Sequence, residues 1–127
     1  DDLAQRRLHR DLYVIPEETA HAIARARERV TRVVAVGTTT TRALETCADP
    51  AEPGRVVAGA GETNLFLAPG DRFHVVDALL TNFHLPRSSL LLLVCAFAGR
   101  ERVLDAYRRA VDAGYRFYSY GDAMLIL

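Results

Sequence analysis

Three stretches of the chain hold side chains whose types and spacing suit chemistry. The first is VAVGTTTTRALE, residues 34–45. A run of β-branched residues delivers Gly37 to a helix start, where free backbone N–H groups and the positive end of the helix dipole point outward. The hydroxyls of Thr38, Thr39, Thr40 and Thr41 surround them. Such a turn suits a carboxylate, a phosphate or ribose hydroxyls. The competing reading is that the threonines only cap the helix, and one glycine does not decide between the two. The second stretch is TNFHLPRSS, residues 81–89, which gathers Asn82, His84, Arg87 and Ser88 on an irregular segment ahead of a buried helix. His84 could exchange a proton near neutral pH, or simply be a histidine bonded to backbone. The third is YRFYSYGDAM, residues 115–124. Strand alternation puts Arg116, Tyr118 and Tyr120 on one face and Tyr115, Phe117 and Ser119 on the other. Arginine and aromatic rings stack on nucleobases; aromatic core packing accounts for at least one of these faces.

Other chemistry is excluded or unsupported. His9, His21, His74 and His84 show no ligand spacing with one another or with Cys47 and Cys95, so no metal is expected. There is no GxSxG elbow and no Cys–His pattern. Glu101 and Asp105, at i,i+4 spacing among arginines, read as surface pairs. All sixteen basic residues are arginine, which removes the phosphate-loop lysine, the Schiff-base lysine and a lysine base. Sixteen acids balance them. A general nucleic-acid binder is basic, so RNA contact here calls for a local patch.

The elements that must position these groups are legible in outline. The 127 residues, half of them hydrophobic, suit a single domain over residues 1–127 with one core. The longest apolar run, Leu90 to Phe97, falls short of a membrane span, and no signal peptide is visible. Unpaired cysteines fit a reduced, cytoplasmic setting. Met124 is the only methionine, so an excerpt of a longer protein is expected. The pattern predicts strands at Leu12–Ile15 and Arg32–Val36, and extended segments at Arg55–Ala58, Asn64–Ala68 and Phe73–Asp77. It predicts helices from Pro16 to Arg29, from the threonines to Ala48, from Ser88 or Ser89 to Gly99 (a strand being the alternative), and from Arg100 to Ala113. Arg116–Tyr120 and Ala123–Leu127 would form a C-terminal strand pair around Gly121-Asp122. Arg25, Arg29 and Arg32 form a helical stripe, read first as a solvated face and alternatively as a phosphate contact. The fold class expected is α/β: a layered α/β/α domain with a mixed, mostly parallel sheet.

In their order, these stretches resemble the S-adenosylmethionine:tRNA ribosyltransferase-isomerases of queuosine biosynthesis. The matching strings are VVAVGTTTTRALE, GETNLFLAPGDRFHVVDALLTNFHLPRSSLLLLVCAFAG and AYRRAVDAGYRFYSYGDAML. TNFHLP and YRFYSYGDAM are far more specific than a lone glycine turn. Members of that family are longer, so the resemblance implies the C-terminal portion of an enzyme, with N-terminal and β-barrel segments as its partners within the same protein. It implies transfer of the ribosyl part of S-adenosylmethionine to an aminomethyl-deazaguanine in a tRNA anticodon, giving epoxyqueuosine and releasing adenine and methionine. S-adenosylmethionine is then a consumed substrate, and no other cofactor is implied.

On that reading His84 and Asp122 transfer protons. Gly37, Thr38, Thr39 and Arg42 hold the methionine carboxylate or ribose hydroxyls, and Thr81 and Asn82 also face substrate. Arg116 and Tyr120 contact the base or the anticodon-loop phosphate. One departure stands out. The place of the family's His–Met–His–Glu-like pattern is occupied here by Arg6, Leu8, His9 and Asp11, of which only His9 matches, which raises the prospect of altered activity or substrate. Arg87 keeps a charge where members often carry lysine, with different donor geometry. A second reading, from another class, is a non-catalytic α/β domain binding a nucleotide, an adenosyl ligand or a partner chain.

Overall fold

The computed structural model describes residues 10–84, 88–117 and 121–127. Within them the order is β1 (Asp11–Ile15), α1 (Glu17–Glu28), β2 (Val34–Val36), α2 (Thr38–Thr46), β3 (Gly59–Thr63), β4 (Ala78–Asn82), α3 (Ser89–Ala98), α4 (Arg100–Asp112) and β5 (Ala123–Ile126). The α/β character is as expected. The strands form two sheets: β1 pairs antiparallel with β3, and β2-β4-β5 form a mixed sheet in which β2 and β4 are parallel and β5 is antiparallel to β4. The parallel component is thus the single β2–β4 pair.

The helices follow from local chemistry. Pro16 presets the backbone ahead of α1, and Glu17 and Glu18 meet the positive end of its dipole. Ser88 caps α3 by accepting the Leu91 N–H at 3.1 Å. Gly99, at φ 95°, ends α3 and starts α4 at once, a conformation that glycine adopts without a Cβ penalty. Val103, Tyr107 and Ala110 form the buried stripe of α4.

The core runs through Ala35, Leu79, Leu93, Val94 and Val75, with Ile15, Ile23 and Leu44 joining it from β1, α1 and α2. On the mixed sheet, Ala35 and Leu79 are buried on one face, whereas Val34, Val36 and Leu125 on the other are 52%, 63% and 56% exposed. The second helical layer of an α/β/α arrangement is therefore not supplied there by the described residues.

Three segments differ from expectation. Residues 64–68 and 73–77 are not strands. In the latter, the N–H groups of His74, Val75 and Val76 donate to the buried Glu45 carboxylate at 2.6, 2.9 and 2.8 Å instead of to a ladder. Near residues 55–58 there is only a single bridge, Ala48 to Val56, and the strand lies further on, at β3. Among the described residues β5 pairs with β4 and not with a hairpin partner. The expected strand at 116–120 extends into residues outside those described.

Candidate functional site

The β2–β4 ladder sets the site. Gly37 donates its N–H to Leu80 O at 2.8 Å, which carries the pairing to the end of β2. There the chain turns at φ 92°, a conformation that favours glycine, and α2 starts at Thr38. No side chain caps α2. Thr41 instead turns back, donating both its N–H and its hydroxyl to Gly37 O at 3.2 and 3.0 Å. The start of α2 is thereby fixed from behind, and its first-turn N–H groups face the end of the sheet. β4 ends beside it at Asn82, and α3 begins at Ser89 with Ser88 as its cap.

Between these ends lies an open hollow of about 530 Å³. Gly37, Thr38, Thr39 and Thr40 line one side, and Thr81, Asn82, Phe83 and His84 the other, with Ser88 and Leu90 at the start of α3. Two helix N-termini thus meet at the carboxyl ends of two parallel strands, where open α/β sheets hold ligands. The arrangement favours an anionic group against the positive helix ends and an apolar or planar group against Phe83 and Leu90.

His84 is the titratable group of the hollow. Its Nε2 lies 2.9 Å from Thr81 Oγ1, and its backbone N–H donates to Tyr107 Oη at 2.8 Å. Burial lowers its pKa from the ordinary 6.5. The ring therefore stays neutral, and able to accept a proton, further into acid than a free histidine. The acid limb of kcat/KM for the intact protein should accordingly fall below pH 6.5; a limb at or above 6.5 in a pH–rate profile would remove His84 as its origin. The stability consequence has the same sign. The unfolded chain binds this proton more readily, so the contribution of His84 to stability is complete above pH 6.5 and declines as pH falls below it.

Eight of the residues singled out in the sequence (Gly37, Thr38, Thr39, Thr40, Thr81, Asn82, His84 and Ser88) line this hollow. Asp122 sits at its end of the sheet, immediately before Ala123, which pairs with Asn82. Its carboxylate accepts the Arg116 N–H at 2.7 Å, and its own N–H donates to Arg116 O at 2.8 Å. The reciprocal pair ties Asp122 to Arg116. Gly121 is required there, because a Cβ would lie 2.5 Å from Arg116 O. The side chain of Arg116 is exposed. Tyr120 lies outside the described residues, as do Tyr118, Ser119, Arg87, Arg6, Leu8 and His9.

Arg42 does not line the hollow. It lies a turn beyond the helix start and is 3% exposed. Its guanidinium pairs with the Asp11 carboxylate and donates to Leu65 O at 3.1 Å and Thr63 O at 3.3 Å. It anchors α2 on the β1–β3 ribbon. Asp11, part of the departure noted above, is thus committed to α2. Phe83 and Leu90 were not singled out from the sequence, since an apolar side chain does not announce a cavity. Among the described residues no group of His, Cys, Asp and Glu could hold a metal, and no helix is long and apolar enough to cross a membrane.

Residues 1–126 match the family model described as "Queuosine biosynthesis protein". A relative from Sorangium cellulosum, named S-adenosylmethionine:tRNA ribosyltransferase-isomerase, is 67% identical over 99% of this chain and 34% of its own length. One of the same name from Citrifermentans bemidjiense is 59% identical over 99% of this chain and 36% of its own length. The crystal structure of S-adenosylmethionine tRNA ribosyltransferase from Thermotoga maritima superposes with a TM-score of 0.83 at 55% identity, covering 91% of this chain and 40% of that one. The chain spans about a third of the length of the curated relatives it matches.

Proposed function

The chain belongs to the queuosine biosynthesis protein family, and on that premise we propose that it is the C-terminal, S-adenosylmethionine-holding part of a tRNA ribosyltransferase-isomerase. The whole protein moves the ribosyl part of S-adenosylmethionine onto an aminomethyl-deazaguanine in a tRNA anticodon. Rearrangement gives epoxyqueuosine, and adenine and methionine leave. It works in the cytoplasm, where its tRNA is, and its remaining segments complete the site.

The observation that carries this reading is a convergence. Residues from two separate strings, Gly37–Thr40 and Thr81–His84, line one hollow, with Asp122 at the same sheet end. The N–H groups of α2 suit the methionine carboxylate, and the threonine hydroxyls and Asn82 suit ribose hydroxyls. His84, kept neutral by burial, can take the proton beside the sulfonium. Asp122 can return a proton to a leaving group from its position just ahead of β5. Arg116, exposed and tied to Asp122, meets RNA phosphate.

The test is incubation of the full-length protein with S-adenosylmethionine and tRNA bearing the precursor base. Adenine and methionine should appear in equal amounts, and only with that tRNA. Binding of S-adenosylmethionine with no release of either would replace this reading with the non-catalytic adenosyl-binding one.

A further inference from the structure

We propose that Tyr107 is a positioning residue for His84, its phenolic oxygen holding the main chain of the site segment so that the imidazole stays beside the hollow. The inference rests on the role given to His84 above. The last strand pair of β4 is Asn82 with Ala123, so Phe83 and His84 lie past the end of the β4–β5 ladder. The His84 N–H is instead held by Tyr107 Oη, from a helix 23 residues further on. Together with the Thr81–His84 contact this gives two restraints, one on the main chain and one on the ring.

Tyr107 is itself held. It is 8% exposed, and its ring meets Phe83 edge-on at 5.1 Å and Phe117 edge-on at 5.7 Å. Phe83 and Phe117 are 5.1 Å apart. The cluster joins Phe117 to Phe83, the residue next to His84, so the Tyr107 ring is fixed from two sides. Packing alone would be met by phenylalanine. A buried hydroxyl is costly unless it is bonded, and this one is bonded to a residue of the hollow. Burial also pushes the Tyr107 phenol up from its ordinary value, so it stays uncharged at working pH.

The test is Tyr107→Phe in the full-length protein, which keeps the ring and removes the bond. Three results are expected. kcat falls roughly tenfold while KM for S-adenosylmethionine stays within about twofold. Hydrogen exchange at the His84 amide accelerates. The His84 imidazole resonances move. Unchanged imidazole resonances overturn the proposal, whether kcat falls or not, and so does a fall in kcat matched by a rise in KM. Should the variant not fold, the parent protein decides: rapid exchange at its His84 amide overturns the proposal and slow exchange supports it. If the parent shows no adenine release yet the resonances move in the variant, the placing of His84 by Tyr107 stands and the proposed reaction falls.

Discussion

Replacing His84 with glutamine should lower kcat by about 10²–10⁴-fold, the usual contribution of a positioned general base. Glutamine is close in length and can still meet Thr81 Oγ1, which lies 2.9 Å from the histidine nitrogen. The backbone N–H bond to Tyr107 is untouched by the change. Binding of S-adenosylmethionine should therefore hold within a few-fold while turnover collapses, a pattern that marks a group acting in the transition state. Steady-state adenine release and equilibrium binding, measured side by side, check this. Turnover within tenfold of the parent would retire His84 as the base and leave Asp122 as the candidate.

Glu45→Ala should be the most damaging change to the fold. Glu45 lies near the end of α2, 9% exposed, and its two oxygens accept three backbone N–H groups from residues 74–76. Val75 and Val76 are core residues, so their amides have no water to turn to once the carboxylate is gone. Orphaning several buried donors costs about 4 kcal/mol in all, since each unpaired group costs ~1–3 kcal/mol. Glutamine should cost about half as much, because one amide oxygen can still serve the two donors that share Oε2. Hydrogen exchange at Val75 and Val76 in the full-length protein should rise about 10³-fold for alanine, at ~1.4 kcal/mol per tenfold. Exchange within tenfold of the parent would mean that the segment is held by its packing instead.

Helix α2 connects the hollow beside His84 with the buried Glu45 contact. Its first turn faces the hollow, while two acid contacts hold the rest of the helix. Arg42 meets Asp11 on β1, and Glu45 holds the segment leading into β4. The same helix therefore places the site and ties together the two sheets and the approach to β4. Buried charges of this kind cost desolvation and specify register, since removing one partner leaves the other unpaired.

This arrangement shows what the sequence could reveal. The strand–glycine–helix unit at residues 34–46 was legible because β-branched residues, one glycine and a capping-type run are local signals. Helix α4 was legible from apolar spacing and α1 from Pro16, whereas α3, apolar all round, was read from Ser88 and Gly99 with a strand as the alternative. The hollow itself was legible from residue types at two loops.

What was hidden depends on partners far along the chain. β3 reads GAGET, with almost no strand preference of its own, and it exists because β1 pairs with it. Residues 73–77 have the composition of a strand, but Glu45 takes their N–H groups across about 30 residues of sequence. Arg42 follows the threonines directly, yet the helix carries it a turn past the hollow, to a carboxylate 31 residues away. Tyr107 looks like one member of an apolar stripe, and only its hydroxyl, reaching His84, sets it apart.

The central claim is that S-adenosylmethionine occupies the hollow at the carboxyl ends of β2 and β4. The most direct measurement is a crystal structure of the full-length protein with S-adenosylhomocysteine, the thioether that cannot react as the sulfonium does. Its carboxylate should lie against the N–H groups of Thr38–Thr40, with the ribose near Asn82 and His84. The analogue bound elsewhere, with the Gly37–Thr40 turn untouched, would contradict that claim.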